Sequence, residues 1–336
     1  MPDPLLYLKA VLAAAMASTL FVLAVFVTRR IAKFSNNETW LNWTAVLSLG
    51  FGFTVGYYVI SLRLAWPPAS ALDRHLTLVI PVALAMELIA GFQRIPRWFA
   101  WMLRVSLAVA VPRVLLHGSV YLAGAEGEWS LWQSSIILAG CGALLVLVWG
   151  LLAWLSQRSA GISISLALQL TILCAGLTVM MEGYIKGGAA AFPMAAALVA
   201  TTMICKLVTS QIGAFSFDSS ATIGIGVVGL FGLLFIGRFF GQLSSASSLA
   251  MMLSPLLCWV TEVPLIRRQQ PWMVGTLRLT CVACVLLVVL VFAKRNFDRD
   301  MAPLLVELNE VTAVHPAECT QPVTSPTADR FRRTFK

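Results

Sequence analysis

Long stretches without a single charged side chain decide what this chain can fold into. Residues 131–155, 161–181 and 221–237 contain no Asp, Glu, Lys or Arg. Apolar runs of about 18 residues or more read as membrane-crossing helices. Ten spans are expected on this basis, at 5–28, 43–62, 76–92, 98–123, 131–155, 161–181, 189–211, 221–237, 245–263 and 272–293. Most are near the ~20 residues that traverse a ~30 Å hydrocarbon core. The fold class is therefore an all-α polytopic transmembrane helix bundle over residues 1–293, followed by a polar tail at 294–336. A soluble fold is excluded because only 12% of residues are charged, with a mean hydropathy of +0.85. Soluble domains carry about 25% charged residues.

The first run begins Met1-Pro2-Asp3-Pro4, lacks the basic start of a signal peptide, and ends in Arg29-Arg30. It reads as the first membrane helix. Trp40, Trp43, Trp66, Trp98, Trp129, Trp132, Trp154 and Trp272 fall near span ends, as an interfacial aromatic belt requires. Odd-numbered loops hold Arg29, Arg30, Lys33, Arg94, Arg97, Arg158, Arg267 and Arg268; even-numbered loops hold Arg63, Arg74, Lys186 and Arg238. This bias places the odd loops in the cytoplasm and the N-terminus outside, in the cell's inner membrane. Ten crossings then put the tail outside, whereas Lys294, Arg295 and Arg299 argue for inside, a conflict of one crossing. In the tail, Leu304, Leu305, Leu308 and Val311 suit a short amphipathic helix, and disorder is expected beyond His315.

A formal charge of +9 invites a nucleic-acid reading. The basic residues instead sit in short loops, and no nucleic-acid module is present. Six of the seven Cys lie in apolar runs, where Cys packs as a small hydrophobe. Cys281 and Cys284 form a lone C-x-x-C without the second pair of a metal site. H-E-x-x-H and G-x-S-x-G are absent, so no catalytic, metal or cofactor site is expected.

Against this apolar background, the stretch from Asp73 to Gly118 stands out. It reads as a membrane hairpin, yet it carries Arg74, His75, Glu87, Arg94, Arg97, Arg104, Arg113 and His117. An ionisable group at the bilayer centre costs about 2.5–3.5 kcal/mol on insertion scales, so this hairpin should face protein or water. Arg113 and His117 are four apart and share a face, next to Pro112. Glu87 is the expected partner of Arg113, while Arg104, half a turn out of phase, snorkels to the interface. Glu87, Arg113 and His117 are the leading candidate site. Asp73, Arg74 and His75 form a second, weaker cluster. Glu182 and Lys186 have the spacing of a helical ion pair. Glu262 reads as a boundary charge near Arg267 and Arg268. Gly224-Ile225-Gly226-Val227-Val228-Gly229 matches a dinucleotide fingerprint, but inside an apolar run it reads as helix packing by close backbone approach.

Gly50 to Tyr58, the Arg94–Trp98 turn, and Trp259-Val260-Thr261-Glu262 followed by Arg267-Arg268 and Trp272 resemble a group of uncharacterised multi-pass bacterial membrane proteins of planctomycete type. The resemblance implies a topology and carries no activity. Three functional readings follow. The leading one is permease-like movement of a small solute or lipid component. The others are a membrane-embedded transferase using Asp73, Arg74 and His75, and a non-catalytic scaffold. The bilayer is the one partner expected in all three.

Overall fold

The computed structural model describes residues 4–32, 38–62, 66–92, 94–122, 129–158, 162–212, 219–262 and 270–314. The regular elements are helical throughout. They are α1 (Pro4–Ile31), α2 (Glu38–Val59), α3 (Ala71–Arg74), a π-helical turn (His75–Val79), α4 (Ile80–Ala90), α5 (Arg97–Leu116) and a 3-10 turn (Val120–Leu122). Then come α6 (Leu131–Arg158), α7 (Ser163–Met181), α8 (Ile185–Ile212), α9 (Ser220–Phe240), α10 (Ser245–Leu253), a 3-10 segment (Ser254–Glu262) and α11 (Pro271–Val314). The chain divides into two units, Met1–Ala293 and Lys294–Lys336. In the second unit the backbone is helical through Val314, and the expected disorder further on falls outside the described residues.

Among the described residues, seven helices are long and apolar enough to cross a membrane: α1, α5, α6, α7, α8, α9 and α11. The other three expected spans take different forms. Asn42, Thr44, Ser48, Thr54, Tyr57 and Tyr58 dilute the apolar character of α2. The 76–92 span is a π turn joined to an 11-residue helix. Pro81 explains the π turn: it has no N–H to donate and crowds the preceding carbonyls, so the turn takes in an extra residue. Accordingly, the Ile80 N–H donates to His75 O, five residues back. The 245–263 span changes from α-helix to 3-10 geometry at Ser254, next to Pro255. The expected 98–123 span ends early, at Leu116, where Gly118 adopts φ +69°. Glycine tolerates this left-handed geometry, which commonly ends helices.

At the centre lies α9, in contact with α2, α4, α5, α6, α7, α8 and α10. Every residue from Ser220 to Gly237 is buried. A helix that is apolar on all sides has no face for water and packs inside. Its glycines do serve packing, though not by the backbone approach expected. They are notches for large side chains. A Cβ on Gly224 would lie 2.8 Å from both Glu87 Oε1 and Trp149 Cζ2, and one on Gly226 would lie 2.7 Å from Leu168 Cδ2.

The periphery has the opposite pattern to a soluble protein. In α1, Leu5, Leu8, Leu12, Met16, Leu20, Leu23, Val27 and Ile31 are exposed, while Ala10, Ala14, Ala17, Ser18 and Val22 are buried. Small and polar residues face inward because lipid satisfies large apolar ones, and tight packing with hydrogen bonds joins the helices. Ser18 Oγ donates to Ser48 O at 3.2 Å, and Ser48 Oγ lies 2.9 Å from Thr201 Oγ1, tying α1, α2 and α8.

Contacts also group the connections into two ends. At one end Arg74 reaches Leu115 O, the Tyr121 hydroxyl donates to Phe239 O at 3.3 Å, and Gln242 N donates to Glu182 O at 3.2 Å. At the other, Trp43 meets Phe92 with ring centroids 4.4 Å apart and Trp154 meets Trp259 at 5.0 Å.

Candidate functional site

The hairpin from Ser70 to Ser119 is built outward from a helix cap. Ser70 caps α3: its Oγ accepts from Asp73 N at 3.1 Å, and its own N donates to Asp73 Oδ2 at 3.2 Å. This capping box supplies partners for two backbone donors and sets where the helix starts. The Asp73 carboxylate is therefore engaged by Ser70. The next residue, Arg74, extends to the end of α5. Its Nη1 donates to Leu115 O at 3.1 Å and its Nη2 to Ala69 O at 3.1 Å. A cation beside the last carbonyls of a helix also complements the helix dipole.

Beside Arg74 lies a cleft of about 390 Å³, lined by Pro68, Arg74, Leu78, Ala110, Arg113, Val114 and His117. Arg113 and His117 are both exposed, and they share the face expected from their spacing. The cleft thus carries two guanidinium groups and an imidazole on a floor of Leu78, Ala110, Val114 and Pro68. Among the described residues, no carboxylate forms an ion pair with Arg113 or His117.

Glu87, the expected partner of Arg113, is elsewhere. It accepts from Arg104 Nε at 2.9 Å and Arg104 Nη2 at 2.8 Å, a bidentate pair between α4 and α5. The Arg104 side chain is 12% exposed and stacks over Trp101 and Trp149, so it does not snorkel to the interface. The reason is axial position. Arg113 lies nine residues beyond Arg104, about 13 Å further along the helix at 1.5 Å per residue. In the antiparallel hairpin, Arg113 passes Leu78 rather than Glu87.

The other candidates also separate. His75 is fully buried, with neither ring nitrogen hydrogen-bonded, and its ring fills the space beside Gly232 of α9. Asp73, Arg74 and His75 therefore point to a cap, a cleft and the core. Glu182 and Lys186 do not lie on one helix. Glu182 ends α7, Gly183 turns with φ +88°, and Lys186 belongs to the first turn of α8, so the helical pairing geometry is absent. In that turn, burial and then the nearby Asp73 carboxylate raise the Tyr184 phenol above its ordinary pKa.

Glu262 is more than a boundary charge. Arg278 Nη2 donates to Glu262 Oε1 at 2.9 Å, Nε to Thr261 Oγ1 at 2.6 Å and Nη1 to Ser163 Oγ at 3.1 Å. This buried guanidinium joins the 3-10 segment, α7 and α11. Sequence reasoning passed over Arg278, although the signal was present: it is the lone charge between Trp272 and Ala293. The cost argument applied to Arg113 holds there equally. Arg267 and Arg268 lie outside the described residues.

The chain matches no protein-family model, no curated protein and no solved structure. Fold and site define its class directly: an all-helical protein of membrane type, with seven helices among the described residues long and apolar enough to cross a bilayer.

Proposed function

We propose that the chain crosses the cell's inner membrane ten times and works as a permease-like protein for a small anionic solute or lipid component, engaged at the Arg74–Arg113–His117 cleft. Ten traversals are supported by the grouping of connections into two ends. With α2, the π turn plus α4, and α10 plus its 3-10 segment each counted as one traversal, the described parts of the second, fourth, sixth and eighth connections meet one another at the Arg74 end, while the first meets the third through Trp43–Phe92 and the fifth meets the ninth through Trp154–Trp259. The lysine and arginine bias then places the cleft on the outer side.

One observation carries the functional reading. Arg113 and His117 open into a cleft beside Arg74, while the hairpin's buried charges, Glu87 and Arg104, neutralise each other. A paired buried charge has a structural explanation, whereas clustered cations in a cleft provide donors for an anion. The transferase reading draws less support, because Asp73, Arg74 and His75 share no surface. The scaffold reading draws on the close packing around α9. Thermal unfolding of the purified protein with added inorganic phosphate tests the proposal. Phosphate should raise the Tm of the wild type and leave Arg113→Gln unmoved. Equal responses from both proteins, or none from either, would favour the scaffold.

A further inference from the structure

We infer that the cleft takes a phosphate-headed anionic lipid, with the headgroup on Arg113, His117 and Arg74 and an acyl chain along the outer face of α5. This rests on the cleft being the functional site and adds the class of ligand.

The cations stand at the end of an exposed stripe on one helix. Met102, Val105, Val109, Ala110, Arg113 and His117 are all exposed. Met102, Val105, Val109, Arg113 and His117 follow one another at three or four residues, with Ala110 flanking Val109, which places them on one side of α5. Ser106 lies within this stripe, but its hydroxyl donates to Leu103 O at 2.7 Å and is satisfied by its own backbone. The stripe is therefore effectively apolar from Met102 to Ala110, and cationic beyond.

Its length suits a lipid. From Met102 to Arg113 the helix rises by eleven residues, about 16 Å. One leaflet of a ~30 Å hydrocarbon core is ~15 Å deep. The stripe thus runs along one leaflet, and Arg113 and His117 stand where headgroups begin. A free anion would use only the cationic end, whereas a lipid would use the whole face.

The headgroup chemistry follows from the donors. Arg74 is held in place by Leu115 O and Ala69 O, so one side of the cleft is preorganised. The planar fork of Arg113 suits two phosphate oxygens, and His117 sits one turn beyond it on the same face. Basic pockets between membrane helices bind anionic headgroups by this chemistry.

The test compares four ligands on the purified full chain in a neutral detergent: short-chain phosphatidic acid, phosphatidylcholine of equal chain length, glycerol phosphate and inorganic phosphate. Phosphatidic acid should bind roughly tenfold or more tighter than each of the others. Arg113→Gln should weaken phosphatidic acid and glycerol phosphate alike, by roughly tenfold. Val109→Asn, on the lipid-facing stripe, should weaken phosphatidic acid and leave glycerol phosphate unchanged. If glycerol phosphate binds as tightly as phosphatidic acid, or Val109→Asn has no effect, the lipid assignment is overturned and an anion cleft stands. Equal binding of phosphatidylcholine overturns the anionic headgroup. If no ligand binds, both this inference and the cleft reading are overturned.

Discussion

Glu87 and Arg104 close a bidentate ion pair inside the α4–α5 hairpin, at 2.9 and 2.8 Å, with the carboxylate side chain 2% exposed. Removing one member strands the other in a dry interior, at a typical cost of about 3–5 kcal/mol. Glu87→Gln and Arg104→Gln should each lower the Tm in detergent. The double variant should recover part of that loss. Arg113→Gln should be well tolerated and additive with Glu87→Gln, because the two residues do not meet. Coupling between Glu87 and Arg113 would contradict this geometry.

Arg278 supports a second junction, where it donates to Ser163, Thr261 and Glu262. Its side chain is 3% exposed. Arg278→Ala should be among the most damaging single changes in the chain, near the upper part of the ~3–5 kcal/mol range, because it also strands Glu262. Adding Glu262→Gln should restore some of the loss. A Tm for Arg278→Ala within a degree of the wild type would argue against a three-way clamp.

Two glycines should respond in opposite directions to the same substitution. A Cβ at Gly224 would press into Glu87 and Trp149, whereas one at Gly140 in α6 meets nothing within 4 Å. Gly224→Ala should cost about 1–3 kcal/mol through overpacking. Gly140→Ala should be neutral, or stabilise by about 0.5–1 kcal/mol through helix propensity. Parallel melting curves would check both, and a neutral Gly224→Ala would contradict the packing of α9 against the hairpin.

His75 has no hydrogen-bond partner at either ring nitrogen and no exposure. A buried polar group left unsatisfied costs about 1–3 kcal/mol. His75→Leu should therefore leave the protein as stable as the wild type or raise its Tm. A marked fall would mean that the imidazole is engaged within the folded protein.

The proposed ten-crossing topology predicts which positions share a side. In a Cys-free background, cysteines replacing Ala69, Ser130 and Ala246 should all react with an impermeant reagent on intact cells, and one replacing Ser35 should not. Accessibility split among the first three sites would rule out the alternation. Labelling at Ser35 alone would reverse the orientation.

Class and composition of the fold were legible in the sequence because they depend on local physics. Apolar length alone identifies α1, α5, α6, α7, α8, α9 and α11. That the G-x-G-x-x-G glycines pack within an apolar helix was readable too, whereas the expected close backbone approach was not what forms: side chains of Glu87, Trp149 and Leu168 fill the notches. Helical phase likewise separated Arg104 from Arg113, and it correctly allowed only one of them to face Glu87.

Which arginine that is depends on how α4 and α5 are rotated and slid against each other. That register is set by the turn between them and by packing against α9, not by residue type. The same limit explains Asp73, Arg74 and His75. Adjacent in sequence, they diverge into a capping box, a cleft and the core because a helix turns by about 100° per residue and each direction meets a different neighbour. The sequence by itself determined that charges in this hairpin need partners or water, since solvation cost depends only on the groups and the medium. Only the tertiary structure decided which charges found partners. Pairing depends on distances between helices, and many different sequences satisfy the same apolar pattern with different registers.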